Sequence, residues 1–346
     1  MRAQETPAYS PTDPARDTAA TASVAVGEIR TGLLRHGASL TTDATERLLD
    51  LLPGEPVLQS RRPIDHALSP DVANGVDCNV LTSNGARVHT VGTVLTHAAI
   101  TGGRVLQTST YARIDPAGSR HRRSWAHYTA RPGRLETLGR ADADELAAGF
   151  AALTGAVAPG CLDVGAVCER LARRLQSSPL LDGCPPIKSQ WTRTRWTALF
   201  VSKHDERAVP RADFVLYDEN VRTISLLIPY ALRESYRLGA VLELCRDLAL
   251  HDWVLTTLSQ RIKRISSVSG DRTRAVGELY PTISHLLHLW MPGARVEPQL
   301  ARVWDGFERQ PGFTRQWNTS VGWIRDQLSL HTLQLLGGLE SNRTAG

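Results

Sequence analysis

The alternation of polar and apolar positions divides the chain at Pro229. Before it, period two dominates. Val88 to Ile100 and Val105 to Ile114 are rich in Thr and Val, and they flank Thr101-Gly102-Gly103-Arg104, which predicts a β-hairpin. Trp125 to Ala130 and Leu135 to Leu138 flank Arg131-Pro132-Gly133-Arg134, which predicts a second hairpin. Val24 to Ile29 predicts the opening strand. Further strands are expected over 194–202 and 212–228, the latter folding back at Asp218-Glu219-Asn220. Helices are expected over 44–52, 142–154 and 163–176, with Asp43, Asp142 and Asp163 as caps. Residues 53–86, with Pro53, Pro56, Pro63 and Pro70, read as loop-rich.

After Pro229 the period becomes helical. Residues 236–265 carry an apolar stripe through Leu238, Val241, Leu242, Cys245, Leu248, Ala249, Leu255 and Ile262. Helices follow over 271–290, bent at Pro281, over 297–308, and over 313–336, ending at Gly337-Gly338. The predicted class is α+β, with an antiparallel, hairpin-rich N-terminal part followed by a C-terminal helical bundle. Its divisions are a disordered leader at 1–22, a mixed part at 23–229, a helical part at 230–338 and a tail at 339–346.

Composition narrows the chemistry. The 346 residues are 42% hydrophobic and 22% charged, ordinary globular values that exclude a collagen-like or wholly disordered chain. The net charge of +5 is thinly spread, with no basic tail. The lysines are Lys188, Lys203 and Lys263, and none follows a glycine, so no Walker A loop can form. There is no Gly-x-Gly-x-x-Gly run of the Rossmann type, no Gly-x-Ser-x-Gly elbow and no His-Glu-x-x-His. No motif names a reaction. Cysteines 78, 161, 168, 184 and 245 include no Cys-x-x-Cys pair. The first residues have no apolar run to act as a signal, and nowhere do eighteen apolar residues follow one another. A cytoplasmic protein with reduced thiols is expected, with no cofactor, no metal and no membrane contact.

Two constellations stand out. Asp252 falls in the middle of the apolar stripe of its helix, and His331 holds the matching place on the last helix, among Trp317, Val321, Leu328 and Leu335. A buried carboxylate or imidazole needs a partner, so these two are expected to pair with each other or with an arginine. They are the candidate acid/base residues, and a register-fixing contact is the plainer reading. Arg120, Arg122 and Arg123 form the densest basic run, beside Trp125, and are the candidate nucleic-acid contacts. Lesser groupings are His285 with His288 at metal-chelating spacing, Glu243-Asp247-His251 on what reads as a solvated helix face, and Cys78 with His89 and His97. Trp253, Trp290, Trp304, Trp317 and Trp323 crowd the helical part as core anchors or interface residues.

Gly27-Glu28-Ile29-Arg30-Thr31-Gly32-Leu33-Leu34, His127-Tyr128-Thr129-Ala130-Arg131-Pro132-Gly133 and Asp247-Leu248-Ala249-Leu250-His251-Asp252-Trp253 resemble stretches of a family of uncharacterised actinobacterial proteins. So do Leu286-Leu287-His288-Leu289-Trp290-Met291-Pro292 and Pro311-Gly312-Phe313-Thr314-Arg315-Gln316-Trp317. The resemblance implies no activity, cofactor or site residue. The expected function is an interaction or scaffold role through the helical part, with a protein partner. An enzyme using Asp252 and His331, and a nucleic-acid binder using the arginine run, are the alternatives.

Overall fold

Strand β1 (Ser23–Leu33) lies at the centre of a ten-stranded mixed sheet. The computed structural model describes residues 22–116, 121–153, 155–201, 211–229, 237–266 and 272–344. The expected leader therefore lies outside the described residues, apart from Ala22. The remaining strands are β2 (Leu58–Ser60), β3 (His66–Leu68), β4 (Val72–Leu81), β5 (Arg87–Thr101), β6 (Val105–Pro116), β7 (Arg134–Thr137), β8 (Thr192–Phe200), β9 (Arg211–Leu216) and β10 (Val221–Ile228). Their order is β2-β3-β5-β7-β6-β1-β8-β10-β9, with β4 also on β5. β5 and β6 form the expected hairpin from Thr101↔Val105 out to Leu95↔Tyr111. Beyond that they diverge, and β7 fills the gap, antiparallel to β5 and parallel to β6.

The hairpin turn is set by Gly102 and Gly103, with φ of 60° and 63°, a region that disfavours side chains. A Cβ on Gly103 would also stand 2.6 Å from the Leu40 carbonyl oxygen. Gly103→Ala is expected to cost about 1–3 kcal/mol, read as a lowered midpoint of thermal or urea unfolding. An unchanged midpoint would contradict this account of the turn.

The second expected hairpin does not form. Residues Trp125–Thr129 are a short helix, α2, and β7 finds its partners in β5 and β6 instead. Trp125 lies over the backbone of Gly75 on β4, a contact that a strand pairing with β7 would not give it. The stretch 53–86 is not simply loop either, because it contributes β2, β3 and β4. β4 runs through Asn74, Gly75, Asp77 and Asn79, residue types depleted in strands, and its alternating half-exposed pattern belongs to a strand with one wet face.

Helices α1 (Thr42–Leu49), α3 (Ala143–Ala152) and α4 (Val164–Gln176) begin at side-chain caps. Asp142 and Asp163 cap α3 and α4 as expected, while α1 is capped by Thr41 rather than Asp43. Alternation along β1 sorts the two faces of the sheet. Val24 and Val26 join Leu146, Phe150 and Val164 of α3 and α4. Ala25 and Ile29 join Val241, Leu244, Cys245 and Leu248 of α5 (Leu238–Ser266) on the other. Gly27 lets the Trp196 indole lie flat on the strand, at 2.6 Å from where a Cβ would be.

The helical region continues with α6 (Arg272–Leu286), which contains Pro281, then α7 (Ala301–Arg309) and α8 (Phe313–Thr344). α8 runs through Gly337-Gly338, where an end was expected. These helices share their largest core with the sheet: Trp304, Phe307 and Phe313 belong to one cluster with Trp196, Phe200 and Ile224. A small helix-only cluster, Leu258, Ile265, Leu279 and Ile324, lies at the far end of α5. The fold is thus α+β, with α5 between the sheet and the outer helices. No described helix is long and apolar enough to cross a membrane.

Candidate functional site

Where α5 crosses the sheet, side chains from β5, β6, α5 and the β3–β4 connection meet in a polar seam. His97 of β5 is 3% exposed, and its Nδ1 lies 2.9 Å from Asp71 Oδ1. Its Nε2 lies 3.3 Å from Arg246 Nη1 of α5. A guanidinium can only donate, so Nε2 accepts and Nδ1–H donates to Asp71. Tyr111 of β6 donates to Asp71 Oδ2 at 3.0 Å, and Arg246 also binds Glu243. Burial alone would raise the Asp71 carboxyl. The hydrogen bonds from His97 and Tyr111 and the charge of Arg246 outweigh it and hold the carboxyl below its ordinary value. Burial, helped by Arg246, pulls the His97 imidazole below its ordinary value against the Asp71 hydrogen bond. The Asp–His order is that of a proton relay, but the nitrogen a relay would offer to substrate is occupied by Arg246. What the arrangement accomplishes is to fasten α5 to β5 and β6. Gln107 adds to this with a 2.9 Å bond to the Arg246 carbonyl.

The seam continues along α5. Asp247 and His251, expected on a solvated face, are both buried. His251 Nδ1 donates to the Asp247 carbonyl at 2.7 Å, and its Nε2 accepts from Met291 N at 3.2 Å. The Asp247 carboxylate accepts from Gly293 N at 2.8 Å, and burial pushes that carboxyl up. The helical phase misleads here because α5 is covered on both sides, so it has no single wet face.

Asp252 is buried on α5, but its partner is Arg222 of β10, which also binds Thr256 and the carbonyl of Glu219. His331 stands half-buried on α8, beyond Ile324, and no described hydrogen bond joins it to Asp252. Of the two expected partners for Asp252, His331 or an arginine, the structure has the arginine. The phase of α8 fails as a guide because the last part of that helix passes beyond the elements that cover its beginning.

On the opposite face a second charged cluster is sealed under α4. Glu28 of β1 is fully buried, with Arg193 Nε at 2.8 Å, Arg30 Nε at 3.2 Å and Arg195 Nε at 3.9 Å. Gly165 of α4 approaches so closely that a Cβ there would stand 2.7 Å from the carboxylate. The signal for this cluster was present in the chain, as a Glu between Val26 and Ile29 in an apolar strand and arginines at alternate places beside Trp196.

The arginine run is only partly described, since Arg120 lies outside the described residues. Arg122 and Arg123 are exposed. Arg122 pairs with Asp77 at 2.9 Å and lies over the Trp125 ring, 5.1 Å from its centroid. Trp125 is 41% exposed. Glu136 takes His127 at 2.8 Å and Arg131 at 3.4 Å, and Asp115 takes Arg113 at 2.8 Å. Acidic residues therefore interleave the basic ones around this loop. Cys78, His89 and His97 do not form a thiol–imidazole pair: His89 binds Asp77, His97 binds Asp71, and burial pushes the Cys78 thiol up. Among the described residues no group of three His, Cys, Asp or Glu is placed to hold a metal. Trp253 and Trp304 are core anchors, while Trp290 and Trp317 stack face to face, with ring centroids 4.4 Å apart, at its margin. No family model, curated protein or solved structure matches the chain.

Proposed function

We propose that this is an interaction protein whose contact element is the stretch of α8 from Arg325 to Leu333, and that the element it meets is the same stretch of a second copy. One observation carries the reading. From Arg325 to Leu333 no side chain of α8 is buried, yet Leu330 and Leu333 are 46% and 65% exposed. Two leucines three apart lie on adjoining parts of one helix face, and since each is only about half exposed, covering it contributes roughly 1–2 kcal/mol. Arg325 and Asp326 balance in charge, so a copy approaching in the symmetric, antiparallel sense meets no net repulsion. The setting we infer is cytoplasmic, supported by the five unpaired cysteines. The readings of Asp252 and His331 as an acid/base pair, and of the Arg122 loop as a nucleic-acid grip, have less behind them. Asp252 is held by Arg222 in the core, and Asp77 already neutralises Arg122.

Sedimentation velocity of the full chain tests the proposal. A concentration-dependent dimer is expected at micromolar protein. The double change Leu330→Glu and Leu333→Glu should return it to monomer with an unaltered circular dichroism spectrum. A parent protein that stays monomeric throughout, or a dimer indifferent to both changes, overturns the proposal.

A further inference from the structure

The sheet ends at β9, and among the described residues no strand pairs with its outer side. Tyr217 N donates to the Val221 carbonyl at 3.0 Å, in register with the β9–β10 ladder. By alternation Val215, Asp213 and Arg211 also turn their backbone groups toward β10. The amides and carbonyls of Ala212, Phe214 and Leu216 therefore point outward. The same edge carries apolar side chains: Val215, Leu216 and Tyr217 stand 45%, 59% and 49% exposed in succession. Phe214 differs, because its ring packs on Phe307 and Phe313. The other borders of the sheet are blunter. β2 is three residues long, and β4 is met on its outer side at Asn79 by the Gly160 carbonyl and the Leu162 amide. β9 has no lysine, proline or break in register to keep another strand away. Its charges, Arg211 and Asp213, pair with each other at 3.0 Å.

A second copy of β9 fits this edge only where outward backbone groups meet outward groups. The symmetric antiparallel registers that satisfy this centre on Asp213, Phe214, Val215 or Leu216. Centring on Asp213 sets that carboxylate against its own copy, and centring on Leu216 sets it against Glu219, so both oppose like charges. Centring on Phe214 sets the exposed Leu216 against nothing larger than Ala212 and leaves Glu219 without a cation. Centring on Val215 sets Val215 against Val215, Leu216 against Phe214, and Arg211 against the exposed Glu219. In that register Tyr217 meets Asp213, and no like charges are opposed.

We propose that β9 is a second self-association surface, at which two copies join edge to edge, antiparallel about Val215, and continue one sheet into the other. Phe214 of each copy exchanges N–H···O=C bonds with Leu216 of the other, on either side of the symmetry axis. The attraction of Arg211 for Glu219 at both ends selects the register. The contact uses none of the α8 residues between Arg325 and Leu333 and stands independently of that pairing. It is short, so little surface is covered to offset the cost of association, and it forms at higher concentration than the α8 contact. Two unlike symmetric contacts on one chain link the α8 dimers into larger assemblies.

The test uses the full chain with Leu330→Glu and Leu333→Glu, which remove the α8 contact, and Cys184→Ser, which removes the exposed thiol. Val215→Cys then sets two thiols at a non-hydrogen-bonded antiparallel pair, within disulfide reach. Tyr217→Cys, on the same face two residues along, sets them far apart. With oxidised glutathione and about 100 µM protein, the Val215→Cys chain should form a covalent dimer at least about tenfold faster than the Tyr217→Cys chain. Sedimentation velocity of the chain without an added cysteine should show monomer at micromolar protein and a dimer by roughly several hundred micromolar. Val215→Lys sets like charges across the axis at an exposed site, so it should hold the chain monomeric throughout with an unaltered circular dichroism spectrum. The proposal is overturned if neither cysteine variant cross-links, if both do so at the same rate, if no dimer appears, or if Val215→Lys leaves the dimer in place.

Discussion

Glu28→Ala is expected to lower the free energy of unfolding by about 3–5 kcal/mol, because it strands buried guanidinium charge. Arg195 is almost fully buried, and burial brings its guanidinium down to about 10, with Glu28 acting against that fall. Its other contacts cannot replace a carboxylate. One is a bond to the Leu153 carbonyl and another is the Phe150 ring, 4.2 Å from the guanidinium carbon. Arg193 is mostly buried and would be left facing Arg195 across the gap, whereas Arg30 keeps Glu169 at 3.1 Å. Glu28→Gln keeps the shape and removes the charge, so it should cost nearly as much. Urea unfolding at pH 7 measures both. If Glu28→Gln costs under about 1 kcal/mol, the cluster is solvated well enough to dispense with its anion, and the account is wrong.

Arg222→Met should be comparably damaging at pH 7, at about 3–5 kcal/mol, because it leaves the Asp252 carboxylate buried without its cation. The two changes together, Arg222→Met with Asp252→Leu, should cost clearly less than the sum of the singles, since neither charge then remains. This pair also carries a pH signature. Burial pushes the Asp252 carboxyl up to about 6, against the pull of Arg222. The folded state therefore holds this proton more tightly than the unfolded chain does. The contribution of Asp252 to stability is full below the ordinary aspartate range near 4 and is lost as pH rises through about 6. Urea midpoints of the parent minus those of Asp252→Asn should fall across that window. A difference that rises instead would mean that Arg222 outweighs burial.

The elements that could be read in the chain were those whose local signals and tertiary surroundings agree. The Gly102-Gly103 turn needed positive φ twice, and Asp142 and Asp163 had only to reach the next turn of their own helices. Trp125–Thr129 reads as strand, but Gly75 on β4 decides its place, and nothing in those five residues encodes that neighbour. The polar seam escaped for the same reason. His97, Asp71, Tyr111 and Arg246 come from separate segments, and strand parity could place His97 on a face without saying that α5 covers it. Asp252 was legible as a buried acid because its position within the stripe is local. Its partner was not, since β10 reaches it only through the sheet order.

That order has a consequence for how the chain is made. β1 is flanked by β6 and by β8, so its second neighbour is completed only at Phe200. At about 5–20 residues per second, roughly 10–30 s separate the emergence of Leu33 from that of the strand that covers its free edge. Throughout that interval Val24, Val26 and Ile29, together with the buried carboxylate of Glu28, belong to an open edge of unpaired amides and carbonyls. The nascent chain thus carries β1 with one edge unpaired through most of the synthesis of the sheet, and an arrest of synthesis before β8 would release a product with that edge permanently bare.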